Sequence, residues 1–428
     1  MKMNIFWFRR DLRLHDNAGL SLASHDENPL LLLFIFDEAI LSPLPKNDAR
    51  VQFIHQQLEG MHAQLAQKGK SILIKKGDVQ SIWKTLCEEY DIEKVYFNKD
   101  YEPDARKRDK TIWEMLKEKG IEMISAKDQV IFERHEVLKA DNTPYTVFTP
   151  YKRKWLEHFT PAHSKAHKVS LDNVCSGNFT FPSLAEIGFD PNDKMKVKPF
   201  QINELDNYAH ERDFPAKDAG SYLGPHLRFG TVSVREILRK LGNVQSTFAS
   251  ELIWREFFMQ ILFHFPDVIN RNFHRKYDGI EWRNDEKDFA LWCEGQTGYP
   301  LVDAGMRELN ETGYMHNRVR MLVASFLCKH LLIDWQWGEA YFAEKLLDYE
   351  LASNNGNWQW AAGTGCDAAP YFRVFNPSRQ QEKFDKNGLY IKKWVPEFGT
   401  LKYAREMVEH SFARQRALEA YKAGINKV

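Results

Sequence analysis

The chain has 428 residues, of which 59 are basic and 59 acidic, with 43% hydrophobic and 28% charged side chains. That length exceeds what one hydrophobic core supports and predicts two or three domains. The composition excludes a disordered chain, and the neutral charge confines any nucleic-acid binding to a local basic patch.

The opening MKMNIFWFRRDLR has few apolar residues between charges and no small-residue cleavage pattern, so the chain is expected to stay in the cytoplasm. Its first 125 residues alternate short β-rich runs with amphipathic stretches, the pattern of a parallel sheet covered by helices. Strands are predicted at 4–8, 30–36, 71–74, 94–97 and 121–124. Between the second and third, Val51, Ile54, Leu58, Met61 and Leu65 recur at steps of three and four, which is one face of a helix. A doubly wound, Rossmann-like domain over 1–130 follows. WFRRDLRLHDN stands where a dinucleotide fingerprint would, which argues against an ordinary nicotinamide site. From 131 to 199 periodicity fades among Thr-Pro pairs and polar residues, the mark of an interdomain linker. From 200 to 428 strand signals nearly vanish and an all-helical domain is predicted; eight of the twelve tryptophans stand at or after Trp254.

The apolar run at 30–36 is strand-sized, and the stretch from Met321 to Ile333 is interrupted by Lys329 and His330, so no membrane span is expected. Cys87, Cys175, Cys293, Cys328 and Cys366 are far apart with no metal-ligand spacing; they read as reduced fillers, and no metal is expected. Gly363, Gly365 and Ala368 fit a nucleotide motif but follow a helical run, and the KGKS at 68–71 has Gln64 where a phosphate loop needs glycine.

Three helical segments carry chemistry. In ELIWREFF, Glu251, Trp254 and Arg255 share one face, which in isolation is an ordinary stabilising pair beside a packed ring. In HNRVRM, Asn317 and Met321 are one turn apart, flanked by Arg318 and Arg320. In LLDYELASNNGNWQW, Trp358 and Trp360 are two apart, so a helix aims them roughly 200° from each other, toward different surroundings.

Taken in order behind WFRRDLRLHDN, these segments resemble the DNA photolyase and cryptochrome family, most like its class I cyclobutane pyrimidine dimer photolyases. The resemblance runs from Trp7 to ARQRALEAYK near the end and is densest over 292–381. It implies an α/β antenna domain over 1–130, a linker over 131–199, and a helical FAD- and DNA-binding catalytic domain over 200–428.

By the same resemblance FAD is bound without a covalent link, reduced in the active state, by Tyr208, Ser221, Tyr222, Leu223, Gly224, Arg255, Arg320, Asp348, Tyr349, Glu350 and Asn354. Asn354 matches the residue that faces flavin N5. The chain departs from the family at Gly220 and Gly224, where hydroxyl residues are usual, and at Glu350, usually Asp. Trp358, Trp335 and Trp282 match the chain of rings that carries electrons to photoexcited flavin. Lesion recognition falls to Glu251, Trp254, Asn317, Met321 and Trp360, with Arg212, Arg318, Arg373 and Gln380 on the surrounding DNA.

The implied activity is light-driven repair. Excited reduced FAD passes an electron to a pyrimidine dimer flipped out of UV-damaged DNA, the ring splits, and the electron returns, with Glu251 hydrogen-bonding the charged dimer. A monomer is expected. Cryptochrome-type signalling is the first alternative; Glu251, Trp254 and Met321, and a match that runs almost to Val428, count against it. Repair of (6-4) photoproducts is the second, and the Asn317–Met321 face lacks the histidine pair it needs, although His316 is adjacent. For a second, antenna chromophore, Glu102 resembles a folate-contacting carboxylate, but Lys46 stands near where relatives place a histidine; folate, a deazaflavin, another flavin or none remain open.

Overall fold

The computed structural model describes residues 2–202, 205 and 207–427. Its contacts separate two compact units, each discontinuous in sequence: Met1–Val137, Trp155–Phe200 and Tyr222–Gln245 form the first, and Leu138–Lys154, Gln201–Ser221 and Ser246–Val428 the second.

The first unit carries five parallel strands, β1 (Met3–Phe8), β2 (Leu30–Asp37), β3 (Ile72–Gly77), β4 (Ile92–Asn98) and β5 (Glu122–Ala126), in the order β3-β2-β1-β4-β5. All five predicted strands are present, and the order reverses beside β1 as a doubly wound sheet requires. The central strands β1 and β2 are almost wholly apolar because both faces are covered: Phe6 and Phe8 of β1 enter one core cluster, Ile5 and Trp7 the other. Helices α1 (Ala18–Ser24), α2 (Ala49–Ala66), α3 (Val79–Glu89) and α4 (Pro103–Glu118) connect them, with α5 (Leu223–Phe229) and α6 (Val234–Leu241) added from far along the chain. On α2 the predicted stripe buries Val51, Leu58, Met61 and Leu65.

The segment at 131–199 is not a free-standing spacer between contiguous domains; most of it is part of the first unit. The Leu30 amide donates to the Asn173 carbonyl at 2.8 Å, the Cys175 amide donates to the Leu30 carbonyl at 2.9 Å, and Val174, Ile187 and Phe189 are buried in the first cluster. Anchoring through backbone groups and isolated apolar residues has no periodicity, which is why the composition reads as linker.

Charges are also buried here. Asp128 accepts from Arg13 at 2.6 Å and from Arg235 at 2.8 Å, and Arg235 also donates to Asp16 at 2.9 Å, all with side chains 2–4% exposed.

Among its described residues the second unit has no strand. Its main helices are α7 (Thr247–His264), α8 (Pro300–Thr312), α9 (Asn317–Ser325), α10 (Trp335–Lys345), α11 (Leu351–Ala362) and α12 (His410–Ile425). α9 runs on into a π-turn, Phe326–His330. The core gathers Trp292, Phe326, Leu327, Trp335, Phe342 and Trp358. Two glycines permit the closest approaches: a Cβ on Gly338 of α10 would lie 2.1 Å from the Trp358 ring, and one on Gly356 of α11 would lie 2.1 Å from Phe258.

Candidate functional site

A pocket of about 610 Å³, counting the open solvent at its mouth, lies in the second unit. α9 supplies Asn317, Arg320 and Met321, spaced three and four apart and so on one face. Phe342 of α10, then Asp348, Tyr349 and Glu350 of the turn, then Ser353, Asn354, Asn357, Trp358 and Trp360 of α11 complete most of the wall. The start of α9 is set by His316, whose ring nitrogen accepts from the Arg318 amide at 3.2 Å. Burial, with Arg318 and Arg320 nearby, pulls this imidazole down to about 4, so it is neutral at physiological pH.

Most charged groups around the pocket are paired, some of them half-exposed and the Arg255–Glu350 pair largely buried. Arg320 grips Asp348 with two bonds of 2.9 and 3.2 Å and donates to the Met315 carbonyl at 2.8 Å. Arg255 of α7 donates to Glu350 at 3.1 Å, and Ser353 donates to the same carboxylate at 3.3 Å. Glu350 is thus held by one guanidinium and one hydroxyl. Arg318 donates to Asp213 at 2.6 Å, and Arg212 donates to Glu251. The Asn354 amide nitrogen donates to the Glu339 carbonyl oxygen at 3.0 Å, which leaves its own oxygen as the acceptor on a residue that borders the pocket. Burial pushes the Glu339 carboxyl up to about 7, and its Oε1 has no hydrogen-bond partner among the described residues.

Trp254 lies on the same helix as Glu251 but outside this lining. Its indole is stacked on Phe148 at 3.6 Å and 9°, with Phe258 at 5.4 Å and Phe257 edge-on at 5.6 Å, and the side chain stays half-buried. The Phe148 amide is in turn held by the Asp367 carboxylate at 3.0 Å. Trp358 meets Phe342 at 4.9 Å and Trp292 at 6.1 Å, the Trp335 indole donates to Asn272 at 3.0 Å, and Trp282 packs on Tyr421 at 5.8 Å. All three tryptophans lie in or against one hydrophobic cluster. Trp358 and Trp360 were expected to enter different surroundings. Both border the pocket, and their offset separates them in burial instead, Trp358 being buried and Trp360 half-buried.

The remaining predicted residues stand outside this lining. In the second unit Tyr208 packs on Phe248 at 5.0 Å, with burial pushing its hydroxyl up to about 12, and the Ser221 carbonyl accepts from the Gln201 amide at 2.9 Å. Gly220 has open space where a side chain would point. Arg373 is exposed, and Gln380 is half-buried on the helix Pro377–Phe384. In the first unit Tyr222 holds a left-handed backbone at φ 52° before α5, its hydroxyl accepting from Lys198 at 2.9 Å, while Leu223 is buried and Gly224 exposed. Also there, Glu102 is engaged by both Arg10 and Arg228.

Sequence reasoning missed Ser353, Asn357, Phe342, Glu339 and Phe148. Ser353 and Asn357 were findable, since they sit within one turn of Asn354 on the same helix. Nothing local links Phe148 to Trp254, more than a hundred residues away. All five cysteines are free thiols, and no helix among the described residues is long and apolar enough to cross a membrane.

Comparison with known proteins matches residues 4–169 to the DNA photolyase family model and residues 248–402 to the FAD binding domain of DNA photolyase. The deoxyribodipyrimidine photo-lyase of Escherichia coli strain K12 is 37% identical, with 99% of each chain covered. A class III photolyase from Agrobacterium tumefaciens superposes with a TM-score of 0.88 at 35% identity, covering all of this chain and 98% of that one. An archaeal photolyase from Sulfolobus tokodaii, solved with two FAD molecules, gives 0.86 at 33% identity, covering 99% of this chain and all of that one.

Proposed function

Because the chain belongs to the DNA photolyase family, we propose that it splits cyclobutane pyrimidine dimers in DNA under light, with FAD as its cofactor. The observation that carries this reading is one shared space: Asn317, Met321 and Trp360, the residues assigned to the dimer, border the same pocket as Arg320, Asp348, Tyr349, Glu350 and Asn354, assigned to the flavin. A reaction in which an electron crosses from cofactor to lesion needs the two sets that close.

The residues fit a flavin. Aromatic walls, two arginine–carboxylate pairs, a spare amide oxygen on Asn354 and an unpartnered Glu339 oxygen suit a planar ring with several polar edges. When bound and reduced, FAD supplies a light-driven electron to the lesion and recovers it after the ring opens. The chain's own part is to hold and to exclude. Arg320–Asp348 and Arg255–Glu350 orient the polar edges. Asn354 offers an acceptor at a fixed place because its nitrogen is already committed to Glu339. Arg212 keeps Glu251 aimed, so that this carboxylate can accept a hydrogen bond from a base edge. Met321 and Trp360 supply apolar and aromatic surface against the extruded bases. Trp358, Trp335 and Trp282 provide oxidisable rings within one cluster for refilling the flavin with electrons.

The single His316 favours this reading over (6-4) repair, since its Nδ1 is committed to capping α9 and its imidazole is neutral, which makes it a weak acid toward that lesion. The test is illumination of thymine-dimer DNA with the reduced protein and a dark control. Loss of the lesion only in light is expected, and Glu251→Ala should lower repair per absorbed photon more than it lowers FAD content. Trp282→Phe should block photoreduction of the oxidised protein yet leave repair by chemically reduced protein. Absence of repair in light would favour the signalling alternative.

A further inference from the structure

The π-turn that ends α9 is a rare geometry, concentrated at functional positions. It carries Lys329, which is 2% exposed. Among the described residues the single hydrogen-bond partner of this ammonium is the Arg373 carbonyl oxygen, at 3.1 Å. A buried cation is expensive without a counter-charge, and a neutral side chain of the same length would fill the place at lower cost. No carboxylate pairs with it. On its own turn the neighbouring Cys328 thiol is kept protonated by burial, and His330 is kept neutral the same way. From α12, His410 bonds His330, Arg416 donates to the His330 carbonyl, and the Tyr421 hydroxyl donates to the Ala362 carbonyl. On α9, Arg318 and Arg320 are held by Asp213 and Asp348; on α10, Glu339 is beside Asn354 and Tyr341 donates to Asn310; α11 has no titratable side chain.

What the ammonium does reach is a loop that faces solvent. Residues 364–376 are irregular, and Phe372 and Arg373 at their centre are exposed. The loop is pinned along its length: Thr364 accepts from the His274 amide, Asp367 accepts from the Phe148 amide, and Tyr371 stacks on Tyr421 at 5.5 Å and 8°. Lys329 is the pin beneath Arg373 itself. Resting on the reading of Arg373 as a DNA contact, we propose that Lys329 is a positioning residue that fixes the Arg373 loop for docking on damaged DNA. Burial pulls the Lys329 ammonium down to about 8, so its charge-assisted bond weakens as the solution becomes alkaline.

The experiment is dark binding of a dimer-containing duplex to the FAD-loaded protein, by fluorescence anisotropy at fixed salt, at pH 7 and pH 9. The wild type should bind about three- to tenfold more weakly at pH 9. Lys329→Met should reproduce that weaker binding at pH 7 and show little further change at pH 9. Arg373→Ala should lose affinity, and adding Lys329→Met to it should cost nothing more. Arg373→Ala alone, which leaves Lys329 in place, should also lose the alkaline weakening; its full persistence there overturns the proposal even if the Lys329 variant fails to fold. Wild-type affinity in Lys329→Met together with a loss in Arg373→Ala overturns the Lys329 role alone. Wild-type affinity in Arg373→Ala overturns the DNA contact and the proposal with it.

Discussion

Two sets of ion pairs in this molecule look alike on paper and differ in kind. In the first unit Asp128, Arg13, Arg235 and Asp16 are almost wholly buried, and each carboxylate is surrounded: Asp128 also accepts from the Ala18 amide, and Asp16 from Ser233 and the His167 amide. At the pocket of the second unit, Arg320 and Asp348 remain 27% and 20% exposed, while Arg255 and Glu350 are 13% and 6%; outside its lining, Arg212 and Glu251 are 25% and 34%. A sealed network gains the full Coulomb attraction of a low-dielectric interior and cannot tolerate the loss of a member. A half-exposed pair is screened, contributes little to stability, and keeps hydrogen-bonding capacity for something that arrives later. The same chemistry thus serves architecture in one unit and reception in the other.

The strongest way to break this contrast is Asp128→Asn. It leaves the buried Arg13 without its carboxylate and Arg235 with Asp16 alone, and should cost about 3–5 kcal/mol in denaturant unfolding; a loss below about 1 kcal/mol would show that the network is not structural. Next, Gly338→Ala drives a methyl into the Trp358 ring and should cost about 1–3 kcal/mol, with a change in near-ultraviolet dichroism as that ring moves. Smaller is the effect of acid. His316 stays neutral in the folded chain down to about 4, whereas the unfolded chain protonates it near 6.5. The unfolded state therefore binds the extra proton, stability falls as pH drops through this window, and His316→Asn should flatten the curve by about 1 kcal/mol at pH 5.5. Smallest in stability is Asp348→Asn, expected to change unfolding by no more than about 1 kcal/mol while lowering retained FAD, measured by flavin absorbance after gel filtration. A large stability loss with unchanged flavin would erase the distinction between the two sets.

The legible parts of the fold share a physical trait: their signal is local and periodic. The strand at Leu30–Asp37 is apolar from Leu30 to Phe36 because both faces of a parallel sheet are covered, and the stripe from Val51 to Leu65 repeats because one side of a helix is. Asn317 with Met321, and Asp348 through Trp360, were singled out by their resemblance to family motifs, because spacing alone gives each group the reading of an ordinary helix face or packed ring; the pocket then brings them to one wall. The embedding of 155–200 in the first unit was not readable, because backbone bonds such as Leu30 to Asn173 leave no mark on side-chain pattern.

The amino-acid order by itself determined the parallel sheet, the helical second half and the family, since hydrophobic period and motif order are properties of neighbours along the chain. Only the tertiary structure decided that Glu251 pairs with Arg212 and Arg255 with Glu350, that Phe148 backs Trp254, that Glu339 lies beside Asn354 with its Oε1 unpartnered among the described residues, and that Lys329 is buried beneath Arg373. Those pairings join residues 15 to more than 100 positions apart, and burial, which sets the strength of each, is decided by how helices close over one another.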